Sequence, residues 1–124
     1  MNSVIPKMEP ILDKNIAIEK AGGSSELAKE LFAMLLKELP ELKNLMNMAY
    51  QTNDPQGFWD HTHKIHGSTA YCGVPAMRVA ASMLEKSIKA DKSFKEMEGD
   101  LNNLNKSIDQ LLTIGHSELE SDWP

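Results

Sequence analysis

The chain has four histidines, and three fall within Asp60-His61-Thr62-His63-Lys64-Ile65-His66-Gly67-Ser68-Thr69-Ala70. An imidazole can serve as an acid–base catalyst, a metal ligand or a nucleophile, and geometry separates these uses. Phe58, Thr62, Ile65, Thr69 and Cys72 recur at steps of 4, 3, 4 and 3, the apolar stripe of an amphipathic helix. At about 100° per residue, with Ile65 at zero, His63 falls near 160°, Ala70 near 140°, Gly67 near 200° and Asp60 near 220°. His63 is therefore turned outward over small side chains, with Lys64 and His66 flanking the same face. Gly67 lies one turn beyond it, although glycine inside a helix costs about 1 kcal/mol relative to alanine. The missing side chain reads as clearance for another surface. The alternative is close helix packing, against which the outward angle argues.

General acid–base catalysis needs a concave pocket and a second positioned group, which a convex helix face does not supply. His61 is about 160° from His63 on the wheel, so a metal could draw at most on Asp60, His63 and His66 as a loose surface site. A nucleophile suits a convex face best, because the other reacting groups can come from a partner. A neutral imidazole nitrogen could take a phosphoryl group from a partner's acyl phosphate and return it, with Lys64 and a partly cationic His66 offsetting the phosphate charge. A purely structural bundle with a solvated His63 is the remaining reading.

The elements that hold this helix follow from caps and periodicity. Residues 1–10, with Pro6 and Pro10, read as an extended lead-in. Asp13 caps a short helix that ends at Gly22-Gly23. Ser24 or Ser25 opens a long helix with Leu27, Leu31, Met34, Leu35, Leu42, Leu45 and Ala49 inward, kinked but continuous at Pro40. Asp54 and Pro55 start the histidine helix, which is expected to run to Gly73. Pro75 starts another, with Met77, Ala81, Leu84 and Ile88 inward. Ser93 and Glu96 form a capping box before the last, whose inner face is Met97, Leu101, Leu104, Ile108 and Leu111. No segment alternates as a strand does. The prediction is all-α: one domain over residues 1–124, an antiparallel four-helix bundle with a short N-terminal capping helix. The acidic tail from Ser117 to Pro124 is expected to fray.

A net charge of −5 argues against nucleic acid as a partner. No apolar run of membrane-spanning length and no signal peptide is visible, so no direct membrane contact is expected and the cytoplasm is the default location. A lone cysteine, Cys72, excludes an internal disulfide; on the inner stripe it reads as a small apolar residue. Met34, Met77 and Met97 read as core filler, and His116 as solvated. Trp59 and Phe32 are left between core and docking surface.

His63-Lys64-Ile65-His66-Gly67-Ser68, with Gly73 and Leu84-Glu85 downstream, resembles the His-x-Leu-Lys-Gly signature of histidine-containing phosphotransfer (HPt) domains of bacterial phosphorelays. The likeness extends to Ile11-Leu12-Asp13 and Ala21-Gly22-Gly23. With Tyr71-Cys72-Gly73-Val74-Pro75 it is similar to the C-terminal domain of hybrid sensor kinases of the BarA/GacS type. The resemblance implies that His63 is phosphorylated, that Lys64 is a flanking charge and that Gly67 opens the docking surface. It implies that Glu85 hydrogen-bonds the inner ring nitrogen of His63; by itself Glu85 reads as an ordinary solvated residue. Many members carry lysine where this chain has His66, which leaves the role of His66 in phosphate stabilisation open. The implied function is a phosphorelay intermediate that takes a phosphoryl group from a receiver-domain aspartate and passes it to a response-regulator aspartate. It implies no autonomous kinase activity, no cofactor or metal on this chain, Mg²⁺ in the receiver, and a monomeric domain meeting the receivers of a sensor kinase and a response regulator.

Overall fold

The computed structural model describes residues 9–124. The lead-in expected over residues 1–10 lies outside the described residues except for Glu9 and Pro10, both exposed.

Helices begin where a side chain satisfies the unpaired N–H groups of a first turn. Asp13 accepts from the Ile16 N–H and opens α1 (Lys14–Lys20). Ser24 accepts from the Leu27 N–H and opens α2 (Ser25–Gln51). Asp54 accepts from the Gly57 N–H, with Pro55 in the first turn, and opens α3 (Pro55–Ser68). Pro75 opens α4 (Pro75–Lys89) without a side-chain cap. The expected reciprocal pair of Ser93 and Glu96 opens α5 (Phe94–Glu120).

The helices pack in a ring, with α2 against α3, α3 against α4, α4 against α5 and α5 against α2. Short turns make successive neighbours antiparallel, which gives the predicted four-helix bundle. Its centre is filled by Phe32, Leu39, Met46, Phe58, Ile65, Met77, Leu84, Leu104, Ile108 and Leu111, all essentially inaccessible. α1 packs on α2 through Ala17, Ala21 and Ala28. The Asp13 N–H donates to the Gly73 carbonyl at 2.8 Å, which ties α1 to the α3–α4 turn. Gly73 has φ +64°, and a Cβ there would run into the Asp13 carbonyl and Ala17, so glycine is required twice over. Among the described residues no helix is long and apolar enough to cross a membrane.

Three expectations are corrected. The inner face of α2 is Ala28, Phe32, Leu35, Leu36, Leu39, Leu42, Met46 and Ala49; Leu35, Leu42 and Ala49 lie there as expected, and the other four expected residues do not. Phe32, the largest candidate, takes the centre; Leu27 and Met34 are exposed, and Leu31 and Leu45 are half-buried. α2 does continue through Pro40 as one helix. Second, α3 stops at Ser68 instead of reaching Gly73. The Ser68 hydroxyl donates to the Ile65 carbonyl and the Thr69 hydroxyl to the His66 carbonyl, both at 2.6 Å, and the chain leaves through a turn to left-handed Gly73. Thr69 and Cys72 remain buried, but Ala70 lies in that turn and not on the His63 face of a helix.

Third, residues Ser117 to Glu120 are the last turn of α5, not a frayed tail. Trp123 folds back so that its ring centroid is 5.8 Å from that of Phe32, and its indole N–H donates to the Glu118 carbonyl at 2.8 Å. Lys14 closes this end by donating to the Ser121 hydroxyl at 2.7 Å.

Candidate functional site

The face of α3 opposite its buried stripe carries His63, whose side chain keeps 62% of its accessible surface. Packing α3 against α4 sets Glu85 beneath it. Glu85 is buried, contrary to the solvated residue its position suggests without the family likeness. One of its oxygens, Oε2, lies 3.3 Å from His63 Nδ1 and 2.8 Å from His66 Nδ1. The other, Oε1, lies 3.6 Å from Lys89 Nζ.

The state of the carboxyl decides the tautomers. Burial pushes the Glu85 pKa up, but the hydrogen bonds from His66 and His63 and the electrostatic attraction of both rings together outweigh it, and the net shift is downward. Glu85 is therefore ionised near neutrality and can only accept. Both histidines must donate through Nδ1–H. In each neutral ring the lone pair is then on Nε2, and for His63 that nitrogen belongs to an exposed ring.

Gly67 is exposed, and a Cβ on it would meet nothing within 4 Å. Close packing is therefore not why it is glycine. It borders a shallow groove with Leu31, Met34, Leu35, Tyr71 and Cys72. The Cys72 thiol, buried there, is pushed up to about 11 by burial and then by the Glu38 charge, so it is inert at neutral pH. Lys64 is exposed and borders a cleft toward α2 with Glu38, Glu41, Leu42 and Leu45, whereas the partners of Glu85 are His63, His66 and Lys89. Asp60 accepts from the Gln56 amide at 2.9 Å, and among the described residues no three His, Cys, Asp or Glu side chains converge as a metal site.

Of the expected residues, then, the structure brings His63, His66 and Glu85 together and sets Gly67 and Lys64 at their margin. It adds Trp59, whose ring stacks on His63 with centroids 5.2 Å apart and planes 17° from parallel. It also adds Lys89, whose ammonium lies 5.4 Å from the Trp59 ring centroid. Both follow from i,i+4 spacing, Trp59 to His63 and Glu85 to Lys89, a relation the sequence displays but does not distinguish from chance.

The model of the Hpt domain family matches residues 30–114. The chain belongs to the Hpt domain family. As an Hpt domain it has a phosphotransfer role, that of a carrier and not of a kinase. It is 30% identical over 111 residues to the signal transduction histidine-protein kinase BarA of Escherichia coli K12, a match covering 90% of this chain and 12% of BarA. It is 33% identical over 101 residues to the sensor protein GacS of Pseudomonas syringae pv. syringae, covering 82% of this chain and 11% of GacS. The phosphorelay intermediate protein rdeA of Dictyostelium discoideum is 27% identical over 112 residues, 90% of this chain and 43% of rdeA. A crystal structure of the HPT domain from a sensor hybrid histidine kinase of Shewanella superposes with a TM-score of 0.83 at 26% identity, covering 89% of this chain and 94% of that one. The Hpt domain thus spans only about an eighth of the length of the sensor kinases it matches.

Proposed function

We propose that His63 carries the phosphoryl group, receiving it from a phospho-aspartate of a receiver domain and passing it to the aspartate of a second receiver. The observation that carries this reading is an exposed imidazole whose inner nitrogen is hydrogen-bonded to a buried, ionised carboxylate. The Nε2 lone pair attacks phosphorus; the N–P bond forms as the P–O bond to the aspartate breaks, and that electron pair leaves on the carboxylate. Nδ1 keeps its proton throughout. The phosphorylated ring is therefore cationic, and Glu85 offsets its charge. Transfer onward reverses the same steps.

Gly67 leaves room for the receiver to close over His63, and the apolar groove beside it supplies contact area. Lys64 is an exposed flanking charge on the same helix, and His66 stands in the place where many family members have lysine. The Mg²⁺ that neutralises the acyl phosphate belongs to the receiver. By likeness to BarA and GacS, the receivers are those of a hybrid sensor kinase and its response regulator, and the domain works in the cytoplasm as a monomeric module.

The test is transfer of label from a purified, acetyl-phosphate-charged receiver, run beside His63→Gln. Acid-labile label on the wild type alone supports the assignment. Label that survives in His63→Gln overturns it.

A further inference from the structure

We infer that Trp59 is a positioning residue for phosphoryl transfer, holding the plane of the His63 ring and stabilising its cationic, phosphorylated form. The inference rests on His63 as the nucleophile and goes beyond it by assigning a second restraint on the same ring. The hydrogen bond to Glu85 fixes which nitrogen faces outward, but at 3.3 Å a single contact leaves the ring free to swing about it. Trp59 removes that freedom. Its indole, half-buried one turn before His63, lies nearly parallel to the imidazole with centroids 5.2 Å apart.

Lys89 joins the two restraints. Its ammonium is 3.6 Å from Glu85 Oε1 and 5.4 Å from the Trp59 centroid, so the carboxylate below His63 and the indole beside it share one cation. Chemistry gives the stack a second use. When Nε2 bonds to phosphorus and Nδ1–H remains, the ring gains a positive charge, and the electron-rich indole face attracts a cation more than a neutral ring. Trp59 therefore favours the product of phosphorylation over free His63.

A small phosphoramidate donor separates this role from receiver docking, because it phosphorylates histidine without a protein partner. The rate and extent of His63 labelling would be compared in wild type, Trp59→Leu and Trp59→Phe, with thermal melts to check folding. Trp59→Leu is expected to label about three- to tenfold more slowly and to lose the phosphoryl group faster, the range a stacked or cation–π contact supports. Trp59→Phe, which keeps an aromatic face, is expected to fall between. Equal labelling of Trp59→Leu and wild type overturns the inference, as does a defect seen only with a receiver as donor, which makes Trp59 a docking residue. If Trp59→Leu unfolds, wild-type labelling of Trp59→Phe at half-saturating donor overturns it. Failure of the wild type to label at His63 instead overturns the assignment of the nucleophile.

Discussion

His66, not His63, makes the shorter hydrogen bond to Glu85: its Nδ1 is 2.8 Å from Oε2, and its side chain is 30% exposed where that of His63 is 62% exposed. The two imidazoles thus divide the work of one carboxylate. The drier, closer bond anchors α3 to α4, and the longer one orients an accessible ring.

That division predicts unequal costs. A hydrogen bond to a charged, buried partner is worth about 1.5–3 kcal/mol, and an exposed one under about 1 kcal/mol. His66→Ala should therefore destabilise the bundle by about 1.5–3 kcal/mol in urea titrations, and His63→Gln by less than about 1 kcal/mol. Equal losses would mean that the anchoring role is shared.

Glu85→Gln removes the charge but nearly preserves shape. A neutral amide no longer compels Nδ1 to carry the proton, and it offsets none of the charge on the phosphorylated ring. Transfer to His63 should slow about ten- to a hundredfold, as expected for losing a charge-assisted hydrogen bond. The same variant tests acid stability. Because the folded-state pKa of Glu85 lies below its ordinary 4.5, the carboxylate contributes stability above that value, and the contribution is lost as pH falls through the folded pKa. Wild type should therefore lose stability below about pH 4.5 more steeply than Glu85→Gln, which melts at successive pH values would show.

Gly67 separates clearance from packing. With nothing within 4 Å of its would-be Cβ, Gly67→Ala should raise stability by up to about 1 kcal/mol through helix propensity alone. Gly67→Phe should also fold, yet lose at least about tenfold in transfer from a receiver by obstructing docking. Labelling by a small phosphoramidate, which needs no docking, should be spared. Loss of both activities would place the glycine in the chemistry and not in the contact surface.

Periodicity and caps made most of the bundle legible because both are local. Asp13, Ser24, Asp54 and Ser93 each bond a backbone N–H three residues ahead, and the stripes of α4 and α5 lie where 3.6-residue spacing puts them. On α2, Leu35, Leu42 and Ala49 lie inward as expected, but Leu27 and Leu31 form as good a pattern as Ala28 and Phe32. Only the need to fill the centre with Phe32 selects between them. Within the site, the outward angle of His63 was visible on a single helix. The burial of Glu85 and the stack of Trp59 depend on how α4 lies on α3 and on a choice of rotamer, which no single helix records. Family likeness alone points to Glu85, and periodicity leaves Trp59 between core and docking surface without indicating its stack on His63.

The C-terminal segment is the sharpest case of composition misleading. Glu118, Glu120 and Asp122 suggest solvent, yet Trp123 among them reaches Phe32 while Lys14 bonds Ser121 and lies 3.7 Å from Glu118. One aromatic anchor outweighs these charges, because burying apolar area yields about 25 cal/mol per Å², Glu120 and Asp122 stay exposed at little cost, and half-buried Glu118 faces Lys14. The clasp joins α1, α2 and α5 at the end of the bundle away from the turn before α5, where Tyr50, Phe58 and Phe94 form a separate aromatic cluster. Trp123→Ala should therefore cost about 1–3 kcal/mol, less than truncation of a fully buried tryptophan. Hydrogen exchange should quicken in α1 and the last turn of α5 and stay unchanged at the Tyr50 cluster. Transfer to His63 should be unaffected at temperatures where the variant is folded. A uniform rise in exchange across all five helices would instead make the clasp part of the global core.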